Sequence, residues 1–221
     1  MSRLWGEWEI CEVYQGKWNR RMDFAHHTRE QLIERIRELE LHNVKLLEQH
    51  ERDLADQNER LEHRASTDGL TGIANHRTLM ERLTSLLADA DEKPVLVAVS
   101  MFDIDNFKVV NDTHGHLAGD QVLTTIAGLL TEGVRSRDLA GRYGGEEFLV
   151  IFPDTEVSQA ASISERIRAA IEAHTFNDGI RLTISAGVAS ATGGSHTDLV
   201  SLADTRLYAA KRAGKNQVVS D

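Results

Sequence analysis

The stretch GRYGGEEFLVIF, residues 141–152, decides how this chain folds. Phe148 to Phe152 is an unbroken apolar run, the pattern of a strand covered on both faces. LAGRY (139–143) precedes it. Gly144-Gly145 between the two segments predicts a two-residue hairpin turn, because glycine takes positive φ without steric cost. Glu146 and Glu147 stand at the mouth of that hairpin. Half-burying a carboxylate costs several kcal/mol unless a cation offsets it. The pair therefore either lies on a solvated turn or holds something.

Around the hairpin, from about Ser66 onward, helical and strand-like segments alternate. HRTLMERLTSLLADADE (76–92) is amphipathic, Pro94 ends the connection after it, and VLVAVSMFDI (95–104) reads as a buried strand. HLAGDQVLTTIAGLLTEGVRS (116–136) and SQAASISERIRAAIEAHTF (158–176) are helical, and LTISAGVAS (182–190) is a strand. DLVSLADTRLYAAKRAG (198–214) is a helix with Gly214 as its stop. The alternation predicts an α/β fold whose central sheet is mixed, because it contains an antiparallel hairpin, and is flanked by helices.

Two further regions precede this domain of residues 67–221. Residues 25–66 lack proline and glycine and read as one long helix. Its apolar seam runs through Leu32, Ile36, Leu39, Leu46 or Leu47, Leu54 and Leu61, with Asn43, His50 and Gln57 on the same stripe. That is a heptad pattern with a four-residue stutter near Leu47. Glu48 and Arg52 form a favourable i,i+4 pair. A stripe this narrow on so polar a helix suits a dimeric coiled coil, with Asn43 fixing a parallel register. Residues 1–24 hold all three tryptophans, Trp5, Trp8 and Trp18, plus Tyr14. They suit either docking of an activating partner protein or packing on the helix of a second subunit.

The whole chain of 221 residues carries a formal net charge of −10, which excludes a general nucleic-acid binder. An anionic ligand would need local lysines or metal ions. The single Cys11 excludes an internal disulfide framework. No apolar run approaches the roughly 20 residues of a membrane helix, and Glu7, Glu9 and Glu12 stand where a signal peptide would be apolar. The expected compartment is the cytoplasm.

FDIDNFKVVND places Asp103 and Asp105 two apart at the end of the first strand, where both can point the same way. With the hairpin paired beside that strand, one of Glu146 and Glu147 shares the side of Asp103, and the other lies beside the turn. Carboxylates converging at the tip of a sheet would form a hard-oxygen site for Mg²⁺. The ion there would bind phosphates, polarise a phosphorus centre and acidify a hydroxyl.

GGEEF at 144–148 resembles the signature of GGDEF-type diguanylate cyclases, a family that condenses two GTP into cyclic di-GMP. The resemblance spans about residues 66–219. DGLTGIANHR (68–77) is similar to the family's opening D-x-L-T-G-L-x-N-R-R. FDIDNFKVVNDTHGHLAGDQVL (102–123) resembles its metal- and guanine-binding stretch, and YAAKRAGKN (208–216) its closing motif. The fold implied is the nucleotide-cyclase, polymerase-palm-like GGDEF domain.

By that resemblance Asp103, the backbone carbonyl of Ile104 and Glu146 match Mg²⁺ ligands, with Mn²⁺ able to substitute, and Glu147 matches a second acidic position at the metal. Glu146 matches the base for the ribose 3′-hydroxyl, a role interchangeable with acidification by the metal. Asn111 and Asp120 match guanine readers. A carboxylate at 120 accepts from both N1–H and the N2 amine, donors that adenine lacks. Lys108 and Lys211 match phosphate contacts. Lys215 stands where the family commonly has arginine, keeping the charge without the planar fork. Gly144 and Gly145 would leave room for the nucleotide. Arg135 and Asp138 match an R-x-x-D inhibitory site for the product, with Arg166 as a second contact from a neighbouring domain. Each domain would hold one GTP, so a homodimer through the 25–66 helix would bring two half-sites face to face.

Overall fold

The structure, a computed structural model, describes residues 28–88 and 95–221. Residues 1–24, with Trp5, Trp8, Cys11, Tyr14 and Trp18, lie outside the described residues, as does Pro94. So do the side chains of Leu32, Glu48, Leu54, Gln57 and Leu61. The chain divides into two compact units between Asn58 and Glu59.

The long helix is present as α1, Arg29–Ser66. A reciprocal capping box starts it: Thr28 N donates to Gln31 Oε1 at 2.8 Å, and Gln31 N donates to Thr28 Oγ1 at 3.3 Å. Ile36, Leu39, Leu46 and Leu47 of the expected seam are exposed.

The second unit is built on a five-stranded sheet in the order β2-β3-β1-β4-β5. The strands are β1 Leu96–Ile104, β2 Leu139–Gly144, β3 Glu147–Pro153, β4 Ile184–Thr192 and β5 Val218–Val219. β1 lies between β3 and β4, antiparallel to both, and β2 pairs antiparallel with β3. The sheet is mixed as expected, its parallel pairing being that of β4 with β5. Helices cover both faces, which is why β1 and β3 read as continuous apolar runs. Ala98, Phe102, Phe148, Val150 and Phe152 face α3 (Phe107–His114), α4 (His116–Gly133) and α5 (Val157–Ala173). Val97, Val99, Met101, Leu149 and Ile151 face α2 (His76–Ala88) and α6 (His196–Arg212).

Two local features depart from the sequence reading. β2 ends at Gly144 and β3 begins at Glu147, so the turn is Gly145-Glu146 rather than the glycine pair. The register shifts between Arg142 and Gly144, and this irregularity moves the turn one residue along. Gly144 pairs with Glu147, and Gly145 alone of the two has positive φ, at 31°. The second departure is α3, an eight-residue helix that the pattern did not reveal. Its N-cap, Asn106, is left-handed at φ 59° and makes no side-chain capping bond, so the usual start signal is missing.

Candidate active site

The register fixes which acids meet. Asp103 lies directly opposite Glu147 on β3 and Ser185 on β4. Opposed residues share a face, so Asp103 and Glu147 both project on the α2 and α6 side. Glu147 is thus the one of the pair that shares the side of Asp103. Glu146 sits in the turn, its carbonyl accepting from Ile104 N at 3.4 Å.

Asp103 is buried at 6% exposure. Its Oδ2 meets Lys211 Nζ, in the last turn of α6, at 2.6 Å. Its Oδ1 is buried and has no hydrogen-bond partner among the described residues. Burial raises the Asp103 carboxyl above its ordinary range, and Lys211 opposes the rise without cancelling it. Burial also raises Glu146 and Glu147, and the charge of Asp103 raises both further. Asp204 adds to the rise at Glu147. All three acids therefore stay raised despite Lys211 and, at Asp103, Lys215.

Such a donor set fits a divalent cation. Asp103 Oδ1 is a buried, unpartnered hard oxygen, and a cation beside it would lower all three raised pKa values at once. Among the described residues no three acidic or histidine side chains close around an ion on their own. Mg²⁺ is commonly held in that way, by one or two carboxylates with the rest of its shell from waters and phosphates.

The charge of Asp105 adds to the rise at Asp103, but the oxygens of Asp105 are taken by internal donors. It is buried and accepts from Ser185 Oγ at 2.8 Å, Thr183 Oγ1 at 2.7 Å and Asn216 N at 3.0 Å. Ser185 lies directly opposite Asp103, so Asp105 is tied to the residue across from Asp103 rather than turned to the other face.

The expected guanine readers lie on adjacent helices, Asn111 on α3 and Asp120 near the start of α4. A Cβ at Gly119 would stand 1.9 Å from Asn111 Oδ1, so the glycine lets that amide lie against α4 beside Asp120. Asp120 is exposed, as is Lys108 in the first turn of α3. Lys215 Nζ donates to Asn106 Oδ1 at 2.6 Å, at the head of α3. Lys211 and Lys215 thus frame the same end of β1. Around the turn, a Cβ on Gly144 would meet Glu147 Oε2 at an ordinary 3.6 Å, and one on Gly145 would meet nothing within 4 Å. The space over the turn is open.

The Arg135–Asp138 turn follows α4 and leads into β2. Asp138 Oδ2 accepts from Arg135 N at 2.9 Å, and Asp138 N donates to Arg135 O at 3.0 Å. Asp138 is buried, while the Arg135 side chain is exposed. Arg166 Nη2 donates to Gly133 O at 2.6 Å, so this arginine lies beside the turn within its own chain.

Sequence reasoning passed over Arg142. Its Nη1 lies 3.2 and 3.3 Å from the two oxygens of Asp68, while its Nε and Nη2 donate to Gly145 O at 3.0 and 2.7 Å. One guanidinium ties the 67–75 turn to the hairpin turn that carries Glu146. The available signal was a lone charge inside a half-buried strand.

Comparison with known proteins follows the same lines. The family model described as "Diguanylate cyclase, GGDEF domain" matches residues 65–217. Diguanylate cyclase DgcP of Pseudomonas aeruginosa is 41% identical over 159 residues, which is 70% of this chain and 24% of DgcP. The coiled coil and GGDEF domain of DgcB from Caulobacter crescentus, solved in complex with c-di-GMP, superposes with a TM-score of 0.76 at 34% identity, covering 83% of this chain and 99% of that one. Diguanylate cyclase SiaD of Pseudomonas aeruginosa, solved in complex with its activator SiaC, gives 0.69 at 34% identity over 87% of this chain and 75% of that one. The chain spans between 24% and 39% of the length of the curated relatives it matches.

Proposed function

The chain belongs to the GGDEF diguanylate cyclase family, and from that premise we propose that it joins two GTP into cyclic di-GMP with release of two pyrophosphates. The observation that carries the reading is the undercompensated acid cluster of Asp103, Glu146 and Glu147 at the tip of β1 and β3. These residues, with the carbonyl of Ile104, would hold Mg²⁺ or Mn²⁺. When bound, the ion supplies positive charge to the phosphates and acidity to the ribose 3′-hydroxyl.

The protein's own groups do the rest by position. Asn111 and Asp120 read the guanine edge, and Asp120 rejects adenine because its carboxylate would be left without donors. Lys108, Lys211 and Lys215 take up phosphate charge, while Gly144 and Gly145 leave the hairpin open to the nucleotide. The 3′-hydroxyl proton would pass to Glu146 or be released through acidification by the ion, the two roles being interchangeable because a carboxylate that holds the ion is a weak base.

One chain carries one set of guanine readers, whereas the reaction joins two nucleotides. Two copies must therefore face each other, and the exposed stripe Ile36, Leu39 and Leu46 on α1 supports pairing by a coiled coil. Cyclic di-GMP bound at Arg135, Asp138 and Arg166 would hold the domains apart, and the DgcB complex with c-di-GMP supports product recognition by this fold. SiaD with its activator supports reading residues 1–24 as a docking segment for a protein partner. Among the described residues no helix is long and apolar enough to cross a membrane. A GTP-consuming enzyme fits the cytoplasm.

The test is incubation of the purified protein with GTP and Mg²⁺, followed by chromatography of the products. Cyclic di-GMP should form from GTP and no cyclic dinucleotide from ATP. Asp103→Ala and Glu147→Ala should abolish turnover with an unchanged circular dichroism spectrum. Absence of the product from wild type, or turnover surviving Glu147→Ala, would defeat the reading.

A further inference from the structure

Asp105 is a buried carboxylate, 4% exposed, that the proposed chemistry does not use. Its oxygens are taken by three internal donors, the hydroxyls of Thr183 and Ser185 and the backbone N–H of Asn216. Its own N–H donates to Thr183 O at 2.9 Å. The first of these bonds tie the end of β1 to the start of β4. The bond from Asn216 ties it to a separate segment, 111 residues on in the chain.

That segment is strained. Gly214, Lys215 and Asn216 follow one another with φ of 122°, 65° and 48°. Two adjacent non-glycine residues in the left-handed region persist only where the surroundings over-determine them. The surroundings here are specific. Asn216 N is fixed on Asp105, and Asn216 Nδ2 donates to Glu172 Oε1 at 2.7 Å. Asn216 Oδ1 accepts from Arg168, which is itself paired with Glu165 and Glu172.

What the strain achieves is the placement of Lys215. Its Nζ reaches Asn106 Oδ1 at 2.6 Å, beside the end of β1 where Lys211 meets Asp103. Asp105 takes the backbone N–H of Asn216, which turns that residue inward and leaves the Lys215 side chain outward on Asn106. Resting on the cyclase reading, we propose that Asp105 is a positioning residue: its carboxylate clamps the Gly214-Lys215-Asn216 turn to the end of β1 and so presents the Lys215 ammonium to the nucleotide phosphates. Asp105 itself touches neither metal nor substrate.

The test is calorimetric titration of the full chain with inorganic pyrophosphate in the presence of Mg²⁺, comparing wild type, Asp105→Asn, Lys215→Met and the double variant. Asparagine offers one acceptor where three donors converge, so Asp105→Asn should weaken pyrophosphate binding about tenfold. Because Asp105 acts through Lys215, the double variant should bind no more than about twofold worse than Lys215→Met alone. Unchanged pyrophosphate affinity in Asp105→Asn, or fully additive losses in the double variant, would overturn the proposal. If Asp105→Asn does not fold, Asp105→Ser, which leaves a single short acceptor in place of the carboxylate, takes its place. Wild-type affinity in Asp105→Ser would equally overturn it. A wild-type protein that binds pyrophosphate but makes no cyclic di-GMP would defeat the cyclase reading alone, since the binding comparison still decides the role of Asp105.

Discussion

Replacing Arg142 with lysine separates what the hairpin contributes to stability from what it contributes to chemistry. The guanidinium bridges two partners at once, the Asp68 carboxylate at 3.2 Å and the carbonyl of Gly145 at 2.7 Å. Burial pushes the Asp68 carboxyl up, but hydrogen bonds from Thr71 and Arg142 outweigh it and hold the group below its ordinary value. At an effective dielectric constant of about 20, two unit charges 3.2 Å apart attract by about 5 kcal/mol. Desolvation and side-chain ordering offset most of that, leaving about 1 kcal/mol for a pair this accessible to solvent. Lysine keeps the charge but has no fork, so it cannot hold both partners. A loss of about 1 kcal/mol lowers the melting temperature by about 2–4 °C in a domain of this size, and more than about 99% of molecules stay folded at 25 °C. Glu146 follows Gly145 directly, and a shift of about 1 Å in a reacting group can cost about a hundredfold in rate. The kcat of Arg142→Lys for cyclic di-GMP formation should therefore fall about 10- to 100-fold, far beyond its loss of folded protein. Asp68→Asn, which leaves the tether to Gly145 in place, should lose a similar amount of stability and much less rate. If Arg142→Lys keeps kcat within about twofold of wild type while its melting temperature falls, the tether does not aim Glu146.

Four other outcomes follow from these arrangements. Because Asp103, Glu146 and Glu147 are raised by burial, the native state binds more protons than the unfolded chain just above the ordinary carboxylate pKa of about 4. Their contribution to stability is therefore lost as pH rises through that window, and thermal melts with EDTA should show a shallower fall in Asp103→Asn than in wild type. Adding Mg²⁺ should raise the melting temperature at pH 7, and the gain should shrink as the solution is acidified. Asp120→Asn should raise the KM for GTP about a hundredfold with a smaller change in kcat, measured by steady-state kinetics. Arg135→Ala should let cyclic di-GMP accumulate to higher concentration before the progress curve bends, and added product should no longer slow the reaction.

The sequence disclosed those features whose physical cause is local. β1 and β3 were legible because strands buried on both faces must be apolar throughout, and the parity of a strand placed one glutamate with Asp103. The turn was displaced by an irregularity between Arg142 and Gly144 that leaves no mark in composition. α3 escaped notice because eight residues give too little periodicity and Asn106 begins it without a capping bond. Arg142 and Asp68 are 74 residues apart, and nothing in either segment announces the other. Partners brought together by topology leave no period in the sequence to read.

The charge balance at the tip of the sheet ties these observations together. Asp103, Glu146 and Glu147 repel one another, and Lys211 lowers all three while Lys215 lowers Asp103 alone, without bringing any of them down to its ordinary value. A protein selected only for stability would neutralise such a cluster with further lysines or apolar replacements. Full neutralisation would leave no driving force to gather an ion, and the polyanionic substrate would meet acids with nothing between them. The acid cluster raises the free energy of the ligand-free fold for the same reason that it can concentrate positive charge where phosphates react. The hydrogen bonds of Arg142 and Asp105, which touch no substrate, keep the turn carrying Glu146 and the turn carrying Lys215 in place against that repulsion.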